Sequence, residues 1–158
     1  MANTDVTLDS ARINPLLNNE RAASGGFTHK IVIPYTDIDE GAGSSDTVTV
    51  TIGTSSADFI VDKAAFNIPT AFAGTGALAA EVGTDGDPNN FLTSTSVMTA
   101  APEIAAIGAA PVTLAGTFAA AADVIEVLFT NSSSGSPSAL TAGEFVLWLG
   151  LRNANTMS

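Results

Sequence analysis

Residues 47–52 read Thr-Val-Thr-Val-Thr-Ile, an uninterrupted alternation of threonine with β-branched apolar residues. Successive side chains of a β-strand point to opposite faces of the sheet, so this stretch predicts a strand. Val48, Val50 and Ile52 are expected to face a core, and the threonines to face solvent or another sheet. It is the clearest strand signal in the chain, and it favours a β-rich fold.

Similar patterns recur on both sides of this strand. We predict further strands in the ranges 27–34, 58–72, 77–82, 91–97, 112–118, 125–129 and 144–152. The range 58–72 could form one bent strand or two separate strands. The range 144–152 is apolar on both faces, which predicts a central or covered strand. The Ser/Gly/Pro-rich turn at 131–138 predicts a hairpin between the last two strands. Pro102 followed by residues 103–107 predicts one or two helical turns.

About eight strands without a crossover helix predict an all-β fold, an antiparallel β-sandwich that is jelly-roll-like. An immunoglobulin-like sandwich is the alternative. The chain of 158 residues fits one such domain, which we place at 27–158.

Residues 1–26 differ from the rest and predict an N-terminal arm or a short helix. Asn14-Pro15 offers a helix cap and first position, and residues 24–26, Ser-Gly-Gly, offer a stop. So short a helix is marginal without something to lie on. The apolar side chains of this segment either cover the end of their own domain or contact a neighbour. The candidate partner-contact residues are Arg12, Ile13, Leu16, Leu17 and Arg21.

The charge balance is acidic, with a formal net charge of -11 from five basic and sixteen acidic residues. Residues 1–30 are neutral in sum, so the acidic excess lies in the rest of the chain. Such a surface repels phosphate backbones and anionic lipids, so we predict that the protein binds neither nucleic acids nor membranes. Only 13% of residues are charged, where about 25% is usual, so the surface is either polar through Ser and Thr hydroxyls or covered by neighbouring subunits. We take burial against other subunits as the hypothesis.

The residues needed for catalysis are scarce. The chain has no cysteine and one histidine, His29, which lies in the inward phase of a predicted strand and is expected to be structural. No Gly-x-Ser-x-Gly motif accompanies it. Pairs of carboxylates such as Asp37 and Asp39 could act as the two catalytic groups of a glycosidase. However, the chain has only one Trp and one Tyr, so it offers few aromatic rings on which a sugar could stack. We therefore predict that the protein is not an enzyme.

Residues 85–89, Asp-Gly-Asp-Pro-Asn, match the first three ligand positions of a D-x-D-x-N calcium loop. Asn90 then replaces the required glycine, and Ser96 stands where the bidentate Glu belongs. Asp85, Asp87 and Asn89 are the candidate calcium ligands, with a turn that needs no metal as the alternative. No other cofactor is predicted.

The N-terminal sequence lacks a basic segment followed by an apolar one, which predicts synthesis in the cytoplasm. Residues 67–78 and 83–93 contain the pattern T-A-F-x-G-T...G...D-P-x-x-F-L, which begins at Thr70 and resumes at Asp87. This pattern resembles small β-rich virion proteins of tailed bacteriophages, among them the jelly-roll capsid decoration, or cement, proteins.

The resemblance implies a structural protein on the capsid exterior, made in the host cytoplasm. Its partners would be the major capsid protein, bound by the N-terminal arm, and its own copies in a homo-oligomer, often a trimer. Two alternatives stay open: another virion component, such as a head fibre, tail or neck protein, and a non-viral carbohydrate-binding β-sandwich module.

Overall fold

The computed structural model describes residues 3–7, 13–15, 17, 19, 27–39, 46–55, 59–106, 123–132 and 139–153. Within these ranges, the elements with described bounds are ten β-strands and a short helix, in the order β1 (Asn3–Thr7), β2 (Ile13–Pro15), β3 (His29–Pro34), α1 (Tyr35–Ile38), β4 (Thr47–Ser55), β5 (Phe59–Ala73), β6 (Leu78–Thr84), β7 (Asp87–Ser96), β8 (Ala101–Ala106), β9 (Asp123–Asn131) and β10 (Ala142–Asn153). The predicted all-β class is confirmed.

The strands form two five-stranded sheets. The first has the order β1-β4-β9-β6-β7 and the second the order β2-β3-β10-β5-β8. All neighbouring strands pair antiparallel except β1 and β4, which are parallel. The eight strands from β3 to β10 pair in a nested way: β3 with β10, β4 with β9, β5 with β8, and β6 with β7. The predicted antiparallel sandwich is confirmed, and β1 and β2 each add one outer strand to it.

A single hydrophobic core joins the two sheets. The alternation at 47–52 has its predicted effect, since Val48, Val50 and Ile52 are at most 4% exposed. The ring of Phe129 on β9 lies 5.8 Å from that of Phe72 on β5 and 5.9 Å from that of Phe145 on β10. These two contacts cross from the first sheet to the second, so the inner faces of both sheets share one core.

β10 has the central position that its sequence predicts. It lies between β3 and β5, and pairs with both. On its outward side, Val146 is only 2% exposed, so the strand is buried on both faces in that region. A continuous apolar strand is stable in such a position because neither face meets water there.

Two secondary-structure predictions for the chain beyond β7 are wrong. Residues 101–106 form strand β8, and its pairing with β5 includes Ala65 with Ala106 and Ile68 with Ala101. Pairing thus overrides the local helix propensity, and Pro102 is tolerated because β8 lies at the edge of the described sheet. The predicted hairpin is also absent from the described strands, because β9 and β10 lie in different sheets. Ten residues, 132–141, separate the two strands, which is long enough for a connection between sheets.

The stretch 58–72 is mostly a single strand, β5, with register shifts against both of its neighbours. β6 and β7 lie where strands were predicted, and both are longer than predicted. The predicted strand 112–118 lies outside the described residues.

The N-terminal segment contains two short strands, and Asn19, within the stretch predicted to be helical, is in a helical conformation. Asn14 and Pro15, the predicted helix start, belong to β2 and pair with Lys30 and His29 of β3. Pro15 is tolerated there because β2 is an outer strand, where one missing N–H donor costs little. β1 adds to β4 in the other sheet. The arm therefore contacts both sheets through backbone pairing.

Candidate interaction surface

The outer face of the second sheet carries a cluster of two aromatic and two cationic side chains, Phe27, Lys30, Lys63 and Trp148, here called the Lys–Trp cluster. Trp148 on β10 is paired with Lys30 of β3 on one side and Ala65 of β5 on the other. Its neighbours Leu147 and Leu149 face the core, so its indole points away from the core.

Each lysine of the Lys–Trp cluster lies over an aromatic ring. Nζ of Lys30 is 5.1 Å from the centre of the Trp148 ring, and Nζ of Lys63 is 5.4 Å from the centre of the Phe27 ring. Both distances are within the range of a cation–π interaction, which contributes about 0.5 to 1 kcal/mol at exposed sites. The two rings are 6.5 Å apart and tilted by 54°. All four side chains are partly exposed, so a partner can reach them.

Hydrogen bonds hold the indole of Trp148 in place. Its Nε1 donates to Oδ1 of Asn67, at 2.9 Å, and Nδ2 of Asn67 donates to the carbonyl oxygen of Pro102, at 3.2 Å. Asn67 is only 8% exposed, so these bonds satisfy an amide that would be costly to bury alone. The ring is therefore fixed across β10, β5 and β8.

Gly150 explains how Phe27 and Lys63 meet. It lies on β10 next to Lys63 of β5, and the backbone of Thr28 bonds to the neighbouring Leu149. Because Gly150 has no side chain, the Phe27 ring can approach Lys63 across β10. The Lys–Trp cluster thus spans β3, β10 and β5.

The structure describes two of the five predicted partner-contact residues, Ile13 and Leu17. Ile13 lies in β2 opposite Ile31, and Leu17 is 67% exposed. Arg12, Leu16 and Arg21 lie outside the described residues. The arm joins the second sheet at β3, the strand that carries Lys30. Ile13 of the arm and Lys30 of the Lys–Trp cluster therefore lie on neighbouring strands of the same sheet.

The candidate calcium ligands lie in a hairpin. Asp85 and Gly86 form a two-residue turn, while Asp87 and Asn89 belong to β7, and all four are exposed. The backbone N–H of Asp85 donates to the carbonyl oxygen of Val124, at 3.1 Å. Across the described ranges, no group of three or more Asp, Glu or His side chains could hold a metal ion. Calcium binding by these residues stays a prediction.

The contacts of His29 agree with the structural role expected of it. Its Nδ1 lies 2.8 Å from Oγ1 of Thr28, and that hydroxyl donates to the carbonyl oxygen of Leu149, at 3.1 Å. Since the single hydroxyl hydrogen is used in this way, the geometry favours the tautomer with the ring hydrogen on Nδ1. His29 thereby links β3 to β10.

Of the helical residues that the structure describes, none forms a helix long and apolar enough to cross a membrane. Comparisons of the chain with protein-family models, with curated proteins and with solved structures find no match.

Sequence reasoning did not find the Lys–Trp cluster. Its members are separated by up to about 120 positions and come together only through the register of three strands. One signal was available: Trp148 and Lys30 both occupy the outward phase of their predicted strands. That signal shows which face each residue occupies, but not which strands are neighbours.

Proposed function

We propose that this chain is a structural virion protein that decorates the capsid of a tailed phage. It binds the major capsid protein and its own copies on the capsid exterior, after synthesis in the host cytoplasm. The observation that carries this proposal is the strand pairing of the N-terminal arm with the outer strands of both sheets. In a single copy the arm pairs with its own sheets, and the same backbone pairing would join it to a sheet edge of the capsid protein or of another copy, because strand addition is a common way for proteins to join.

The sandwich suits a particle component. We infer that the eight strands from β3 to β10 form a jelly roll, because their nested pairing is the one expected of two interleaved Greek keys. β1 and β2 cover the edges that β4 and β3 would otherwise expose, and exposed edges promote uncontrolled association. The low charged fraction of 13% further supports a surface partly covered by other subunits.

Deletion of residues 1–26 tests the proposal. The truncated protein should keep a β-rich circular dichroism spectrum, because the core lies in β3 to β10. We expect it to lose binding to shells of the major capsid protein in a co-sedimentation assay. Because deletion uncovers two sheet edges, a full-length Val6→Pro variant, which removes one backbone donor of β1, provides a second measurement and should bind more weakly.

A Ser94→Ala variant is the control for both changes, since Ser94 is exposed on β7 and lies outside the arm. It should bind shells as the unaltered protein does. Wild-type occupancy by the truncated form would overturn the arm mechanism. Absence of the chain from purified virions, measured by quantitative mass spectrometry, would overturn the virion role. Copy number in the same measurement separates a decoration protein from a fibre, tail or neck component.

Two contacts count against the carbohydrate-binding alternative. A sugar platform needs an open aromatic face, but the Trp148 ring already has the Lys30 ammonium group over it. Tyr35 packs against the core and so does not extend the platform. Glycan binding by the isolated protein would restore this alternative.

A further inference from the structure

Self-association of this chain needs a local source of positive charge. Copies with a net charge of -11 repel one another, and this repulsion must be offset where they touch. The Lys–Trp cluster holds two of the five basic residues of the chain. Lys30 and Lys63 both lie on the outer face of the second sheet and are partly exposed. Glu144 occupies the same face of β10 four residues before Trp148, so it is the part of the face around Lys30 and Lys63 that is suited to an acidic partner.

The chain itself presents a matching acidic element. The turn between β6 and β7 contains Asp85, Gly86 and Asp87, all exposed. The turn is narrow because Gly86 has no side chain. The space around its Cα is open. The turn belongs to the first sheet, whereas the Lys–Trp cluster lies on the outer face of the second. Within one copy, the two features are therefore on different layers.

We propose that the Lys–Trp cluster binds the acidic β6–β7 turn of a second copy of this chain. This proposal rests on the part of the proposed function in which copies bind one another, and it names the contact. The carboxylates of Asp85 and Asp87 meet the ammonium groups of Lys30 and Lys63. Trp148 provides the fixed aromatic surface between them.

The construction of the Lys–Trp cluster favours binding. Lysine side chains lose conformational freedom when they bind, and contact with an aromatic ring restricts them beforehand. The indole is likewise held by Asn67 before any partner arrives. Buried tryptophan is among the residues that contribute most to protein interfaces. The docking surface is thus largely formed in the single copy.

The contact joins unlike surfaces, so it is heterologous. Each copy uses its Lys–Trp cluster for one neighbour and its acidic turn for another. Such contacts close into a ring when the rotation between copies permits it. A cyclic trimer, as the phage resemblance implies, would contain three identical contacts of this kind.

Charge reversal tests the contact. Lys30→Glu with Lys63→Glu should weaken self-association at least about tenfold, and so should Asp85→Lys with Asp87→Lys, as measured by sedimentation velocity over a concentration series. All four changes in one chain should restore association, because the two surfaces then match with opposite signs. Glu81→Lys is the control for an altered net charge, and it should leave the dissociation constant within about twofold.

Trp148 is the only tryptophan, so its fluorescence reports on the Lys–Trp cluster itself. Its emission should change with protein concentration along the same curve as the sedimentation data, and raised salt should shift both curves to higher concentration. A monomeric wild-type protein, unaltered association of the reversed variants, or no restoration in the fourfold variant would each overturn the proposal.

Shell binding distinguishes this inference from the proposed function. If the copies associate through the Lys–Trp cluster but do not bind shells, the proposed capsid role fails and the contact stands. If the wild-type protein binds shells as a monomer and Lys30→Glu abolishes that binding, the partner of the Lys–Trp cluster is the capsid protein. That result would contradict the contact between copies.

Discussion

Two glycines allow the chain around the start of β10 to approach the end of β5 closely. Gly74 and Gly143 have φ angles of +106° and +139°, which residues with a Cβ atom rarely adopt. A Cβ on Gly74 would overlap the carbonyl oxygen of Ala139, and one on Gly143 would overlap the ring of Phe72. The N–H of Thr141 donates to the carbonyl oxygen of Ala73 in the same region, at 2.8 Å. The two glycines thus allow the start of β10 and the residues just before it to lie against the end of β5.

We expect Gly74→Ala to lower the free energy of unfolding by about 3 kcal/mol, since backbone strain and overlap with the main chain of Ala139 act together. Urea denaturation followed by circular dichroism measures this loss. Gly86→Ala is the matched control and should change the free energy by less than about 1 kcal/mol, because its φ is not positive and its Cβ would have space. Equal losses in the two variants would show that the conformation at Gly74 is not strained by a side chain.

At the scale of elements, aromatic rings connect strands of different sheets. Phe129 on β9 meets Phe145 on β10 edge to face, at 87°, and contacts Phe72 on β5 at 44°. Phe145 in turn stacks on Phe66, at 5.7 Å. Such ring pairs add about 0.5 to 1.5 kcal/mol to the effect of burial alone. Phe129 is therefore one of the side chains that hold β9 over the second sheet, together with the buried Ile125 and Val127.

Phe129→Ala should destabilise the protein by about 3 to 5 kcal/mol, because it removes a fully buried ring and leaves a cavity between the sheets. Phe27→Ala makes the same change on the partly exposed outer face, where the ring contacts Lys63 and Trp148. That control should cost about 1 kcal/mol. Unfolding midpoints in urea compare the two variants. A similar loss for both would mean that the core between the sheets is not the main source of stability.

At the scale of the whole molecule, both sheets depend on one core. The buried cluster draws residues from β3, β4, β5, β6, β7, β9 and β10, so neither sheet can keep its apolar face covered without the other. A single shared core makes unfolding cooperative in domains of this size. The two sheets are therefore expected to unfold together.

Circular dichroism and the fluorescence of Trp148 should give the same unfolding midpoint in urea. The first signal reports on all strands and the second on the outer face of the second sheet, so agreement indicates one transition. The measurement belongs at low protein concentration, where association does not add to stability. Two distinct midpoints would indicate that the sheets unfold separately.

The sequence predicted those features that depend on side-chain spacing within a single strand. The alternation at 47–52, the inward placement of Ile31 and Ile33, and the covered position of β10 are confirmed. Each follows from the same cause, because residues two apart in a strand share a face, and apolar faces must leave water. The sandwich class follows from the number of such strands.

The tertiary structure alone decided which strands are neighbours. β8 is a strand because β5 offers it backbone partners, although its own residues favoured a helix. β9 and β10 separate into two sheets, and the arm becomes β1 and β2. The Lys–Trp cluster depends on the same register, which sets Lys30 beside Trp148. Pairing of this kind depends on the free energy of the whole core, and spacing along one segment does not contain that information.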